Sequence, residues 1–106
     1  MILTTTATVA RHRLTKTLGL VRGNTLRSRH IGRDISAALK SMVGGELADY
    51  TKMLAEAREQ ALDRMVDEAR QLGANAVLEI RLGTSAVMAN VAEIIAYGTA
   101  VIIEPE

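Results

Sequence analysis

The chain is 106 residues long with a formal net charge of +1, and 48% of it is hydrophobic, although it has no Phe, no Trp and only two tyrosines, Tyr50 and Tyr97. That length suits a single domain over residues 1–106, with one modest and purely aliphatic core. The absence of cysteine excludes disulfides, iron–sulfur clusters, thiolate zinc sites and cysteine nucleophiles.

Ile2 to Val9 is rich in Thr and Val and predicts a strand. A second extended stretch runs from about Leu14 to Arg29. Its Gly19 and Gly23 lie four residues apart and leave one face bare, which predicts a bend, a close backbone approach or simple strand twist. Asp34 suits the N-cap of a short helix with Ile35, Ala38, Leu39 and Met42 on one face, stopped at Gly44-Gly45. From Glu46 to Leu72 there is neither Gly nor Pro, and Gly73 supplies the residue after the cap, so a helix about 40 Å long is expected. Leu47, Leu54, Ala61, Met65 and Leu72 fall near one line on it, flanked by Tyr50, Ala57 and Ala69. Lys52, Glu56, Glu59, Asp63, Asp67 and Arg70 run down the other side. Ala76 to Leu82 alternates, with Leu78, Ile80 and Leu82 on one face and Glu79 and Arg81 on the other. Val91 to Ile103 is apolar at odd and even positions alike, so it expects cover on both faces. One long helix supplies one cover. With no repeat, linker or low-complexity segment to provide the other, a partner subunit is expected. Strands bracketing helices predict an α+β fold: a small, mostly antiparallel sheet with one long and one short helix on one face.

Charge is unevenly spread. Residues 1–33 carry +7, from Arg11, Arg13, Lys16, Arg22, Arg27, Arg29 and Arg33 with no acidic residue, and the remaining 73 residues carry −6. A basic segment over 11–33 is compatible with an anion or nucleic-acid partner. Nucleic acid is disfavoured, because no aromatic residue interleaves these cations and they lie on strand-like sequence. His12 and His30 lack companions at a ligand spacing, and the methionines suit core packing, so no metal site or cofactor is assigned. No G-x-S-x-G, phosphate-binding or dinucleotide loop is present, no catalytic residue is assigned, and the expected protein is not an enzyme. No apolar run approaches the ~20 residues of a membrane span, and Met1-Ile2-Leu3 lacks a signal peptide's charged start, so a cytoplasmic protein without a membrane partner is expected.

Several segments carry a family resemblance. In order they are Leu18-Gly19-Leu20-Val21-x-Gly23, Arg33-Asp34-Ile35, Val43-Gly44-Gly45, Tyr50 with Leu54 and Ala57-Arg58, Leu72-Gly73-Ala74-Asn75-Ala76-Val77, and Ala96-Tyr97-Gly98-Thr99-Ala100-Val101. Together they span nearly the whole chain, and it resembles the YbjQ family, whose domain is labelled heavy-metal-binding. The pattern departs from the family at Ser28-Arg29-His30, where small residues ending in Asn are usual. The resemblance implies an α+β subunit that assembles into a ring, typically a homopentamer, without an established activity. The expected function is thus that of a non-enzymatic, ring-forming homo-oligomer that binds a small ligand at subunit interfaces. Heavy-metal binding is the first alternative and an anion or nucleic-acid binder the second.

Arg58 is the candidate ligand-binding residue. Counted around the helix it falls beside Leu54 and Met65, inside the apolar stripe, where a buried guanidinium needs a carboxylate or carbonyls. Asp34 is its first expected partner, with Glu79 and Glu93 as alternatives, and Arg33 joins it if the site holds an anion.

Overall fold

The computed structural model describes residues 1–28, 45–88 and 91–106. Strand β1 is Ile2–Leu3, β2 is His12–Ser28, helix α1 is Gly45–Gln71, β3 is Ala76–Met88 and β4 is Val91–Pro105. They form a mixed four-stranded sheet in the order β1-β3-β4-β2, with β1 parallel to β3 and every other pair antiparallel. The α+β class is as expected. The predicted short helix at 34–42 lies outside the described residues.

Helix α1 packs chiefly on β2 and β4 through a ridge of small and flexible residues. Ala57, Ala61, Met65 and Ala69 are fully buried against Val21, Ile94, Ala96 and Ala100. The two glycines of β2 divide the predicted roles between them. Gly19 has φ +121° at a register shift, so it is the bend. Gly23 lies under the helix backbone and is the close approach.

The C-terminus of α1 explains the Leu72-Gly73-Ala74-Asn75 segment. Gly73 takes φ +86°, its N–H donates to the Arg70 carbonyl at 2.9 Å, and the Ala74 N–H donates to the Ala69 carbonyl at 3.1 Å. That pair of bonds is a Schellman cap. Asn75 then clamps the turn to β4: its Nδ2 donates to the Ile103 carbonyl and its Oδ1 accepts from the Ile103 N–H, both at 2.8 Å.

Three expectations need correction. The strand predicted over Ile2–Val9 stops at Leu3 as a regular element, because the threonine hydroxyls bond locally and turn the chain while the Thr4 and Thr6 carbonyls still accept from β3. Thr4 Oγ1 accepts from the Thr6 N–H, and Thr6 Oγ1 donates to the Thr8 carbonyl at 2.6 Å. Leu78 does not share a face with Ile80 and Leu82. Glu79 adopts φ +53° at a bulge, so Leu78 joins the cluster opposite the helix while Ile80 joins the helix-side core. Finally, the second face of β4 is partly covered by its own chain. Residues 4–11 leave β1 and bring Val9 onto Ala76, Leu78, Val101 and Ile103. The segment is held by bonds from the Ile80 N–H to the Thr4 carbonyl and from the Glu79 N–H to the Thr6 carbonyl. Beyond that cover no described segment packs on the face, and Leu20, Leu26 and Tyr97 are 63%, 57% and 42% exposed.

Candidate functional site

Arg58 projects from the first half of α1 and is exposed, against the expectation of burial. The physical reason is the inclination of the buried row. Ala57, Ala61, Met65 and Ala69 are spaced by four, and such a row winds slowly around the helix instead of running along it. At the level of Arg58 the contact face is centred on Ala57, so the next residue, about 100° further round, turns outward. Arg58 borders a depression of about 510 Å³ together with Lys52, Ala55, Glu56, Glu59 and Gln60. Its proposed companions Arg33 and Asp34 lie outside the described residues, while Glu93, one alternative, accepts from Asn24 Nδ2 at 3.3 Å and not from Arg58.

The cation that ties α1 to the sheet is a different one. Arg64 Nη1 donates to the Asn24 carbonyl on β2, and Arg27 Nη2 donates to Gln60 Oε1 at 2.6 Å. Helical counting puts Arg64 among solvated charges, and only the position of the edge strand gives it an acceptor. Arg64→Met is therefore expected to cost about 1 kcal/mol and Arg58→Met about half that or less. Thermal denaturation of the two variants checks the order, and a larger loss for Arg58→Met would reverse the assignment.

The basic segment does not gather on one surface. Arg22 stands opposite Tyr97 on the open face, Arg27 stands opposite Ala92 on the helix face, and Arg13 pairs with Glu104 at 3.0 Å. His12 Nδ1 lies 2.8 Å from the Ala10 carbonyl, which only accepts, so this nitrogen carries the proton. His30 is outside the described residues. Among the described residues no group of three His, Asp or Glu side chains is placed to hold a metal ion.

On the open face a second depression, of about 300 Å³, is lined by Leu20, Glu79, Arg81, Tyr97, Gly98 and Thr99. The bulge at Glu79 builds one wall. Arg81 is fixed beside it, because Nη1 donates to the carbonyls of Thr5 at 3.0 Å and Ile80 at 2.9 Å. Sequence reasoning missed this site, since its members come from β2, β3 and β4 and none has a motif spacing. The signal it could have used is Tyr97, an aromatic residue in an otherwise aliphatic strand.

A family model described as "Putative heavy-metal-binding" matches residues 1–104. The chain belongs to the YbjQ family. A UPF0145 protein of Dehalococcoides mccartyi is 58% identical over 104 residues, covering 98% of this chain and all of that protein. Its counterpart in Methanosarcina acetivorans is 56% identical over 101 residues, with 95% of each chain covered. The crystal structure of a protein of unknown function from Pediococcus pentosaceus, assigned to the DUF74 family, matches with a TM-score of 0.66 over 98% of both chains. At 17% identity that likeness shows the fold alone. No helix among the described residues is long and apolar enough to cross a membrane.

Proposed function

We propose that this YbjQ chain is the subunit of a closed, non-enzymatic homo-oligomer, acting in the cytoplasm and accommodating a small ligand at its subunit boundaries. The observation that carries the reading is the sheet face left open beyond Val9, where Leu20, Leu26 and Tyr97 meet solvent. Monomer dimensions support it. The radius of gyration is 17.0 Å, against about 13 Å for a compact chain of this length. The accessible surface is 6730 Å², against roughly 5,800 Å² for a folded monomer of this mass. A second copy is the occupant that fits, because the open face adjoins a long edge strand, β2, whose unpaired side a closed assembly protects. Five is the expected number of subunits, on the family resemblance.

Native mass spectrometry of untagged protein tests the proposal directly. The expected result is a pentamer carrying no stoichiometric transition metal, and Leu26→Lys is expected to release monomers without loss of fold. A wild-type protein that sediments as a monomer at micromolar concentration would overturn the assembly. About one metal per subunit, retained through chelation and lost in His12→Ala, His30→Ala, would replace this reading with metal binding.

A further inference from the structure

We infer that the open sheet face holds a binding site for a small aromatic monoanion, a planar ring bearing one carboxylate, centred on Tyr97 and Arg81. The register places three residues in one transverse row. Arg22 of β2 and Arg81 of β3 are each the direct partner of Tyr97 on β4. Direct partners in antiparallel strands share a face, so the aromatic residue stands between two guanidinium-bearing positions.

Each member is suited to a part of the ligand. Both Arg81 bonds use Nη1, which leaves Nε and Nη2 to form a fork towards a carboxylate. The fork is held by backbone carbonyls, so binding does not have to order it. Arg22 is exposed and makes no hydrogen bond or ion pair within the described chain. Tyr97 is 42% exposed and Leu20 is 63% exposed, which gives a ring one aromatic and one aliphatic surface. Gly98, next to the tyrosine on β4, adds no side chain to the lining. Glu79 contributes a carboxylate to the rim. Arg81 and Glu79 line the depression and Arg22 stands beside it as the register partner of Tyr97, so the three together leave a balance of one positive charge, which matches a monoanion better than a phosphate dianion. A volume of about 300 Å³ sits at the small end of ligand pockets and fits a single ring.

All these residues come from one chain. The site therefore goes beyond the proposed assembly and does not need it, although a neighbouring copy on the same face would wall its open side.

The test is a ligand-observed NMR titration of the untagged full chain, with benzoate, cyclohexanecarboxylate, benzamide and inorganic phosphate as separate probes. Benzoate is expected to bind in the millimolar range and at least fivefold more tightly than each of the others. Arg22→Gln, which removes no hydrogen bond or ion pair among the described residues, is expected to weaken benzoate about fivefold. Glu79→Gln is expected to tighten it about threefold, a direction that structural damage would not produce. Tyr97→Leu is expected to abolish the preference for benzoate over cyclohexanecarboxylate. Equal affinity for benzoate and benzamide, or unchanged affinity in both Arg22→Gln and Glu79→Gln, would overturn the site. Native mass spectrometry on the same samples keeps the two proposals apart: benzoate bound to a monomer sustains the site and removes the ring, and an unliganded ring does the reverse.

Discussion

Gly23→Ala lowers the melting temperature by roughly 10 °C or more. A Cβ at this position would press into the Ala61 carbonyl and stand 2.5 Å from Met65 N and 2.7 Å from Arg64 Cβ. Two of these three atoms are helix backbone, which cannot rotate away as a side chain could. The helix must retreat from β2, and its retreat loosens Val21, Ala96 and Ala100 together, because they share one core with Ala61 and Met65. Overpacking of a tight core costs typically 1–3 kcal/mol, and a backbone obstacle belongs at the upper end. For a domain of this size each kcal/mol is worth about 4–8 °C. Gly83→Ala is the internal control. Its added methyl would meet only Ile95 Cγ2 at 3.3 Å, a side-chain atom able to shift. Differential scanning calorimetry reads both. Equal melting temperatures would show that α1 does not rest on Gly23.

Val101→Lys abolishes folding of the subunit itself. Val101 is fully buried and packs with Ala76, Leu78 and Ile103 beneath Val9. Its neighbours across the sheet are Thr17 and Ala76, so no carboxylate is placed to receive an ammonium. An unpaired charge buried this way costs several kcal/mol, a large fraction of the 5–15 kcal/mol that holds a domain together. The residue looks from its strand pattern like a probe of the subunit interface. Its burial within one chain makes it a probe of the fold, and Leu26 on the open face is the informative position for assembly. Circular dichroism and limited proteolysis check the effect. A Val101→Lys protein that stayed folded would mean that residues 4–11 lift away from the sheet.

The path from sequence to site was uneven, and the reasons are physical. Helix α1 was legible to within a residue at each end, because its period, the absence of Gly and Pro, and the Gly73 stop are all local signals. The extent of β2 and β4 was legible to within two residues at each end, from extended runs rich in apolar and β-branched residues. Arg58 was misplaced because a helical wheel assumes a contact face parallel to the axis, whereas the buried row is set by how the helix crosses β2 and β4. The depression around Tyr97 was invisible, since Leu20, Arg81 and Tyr97 become neighbours only through the registers of β4 with both flanking strands.

Composition and periodicity alone determined that the core is aliphatic and cysteine-free, that one long amphipathic helix accompanies strands on both sides of it in the chain, and that the last strand needs cover on both faces. Each follows from local spacing or residue counts, which need no knowledge of partners distant in sequence. The tertiary structure decided what provides that cover. Residues 4–11 fold back over the Val101 end because threonine hydroxyls turn the chain and Val9 reaches the Ala76–Ile103 cluster. It also decided which side of β3 each residue faces. A single bulge at Glu79 reverses the alternation, and in a structure with period two, one extra residue exchanges the faces of everything beyond it.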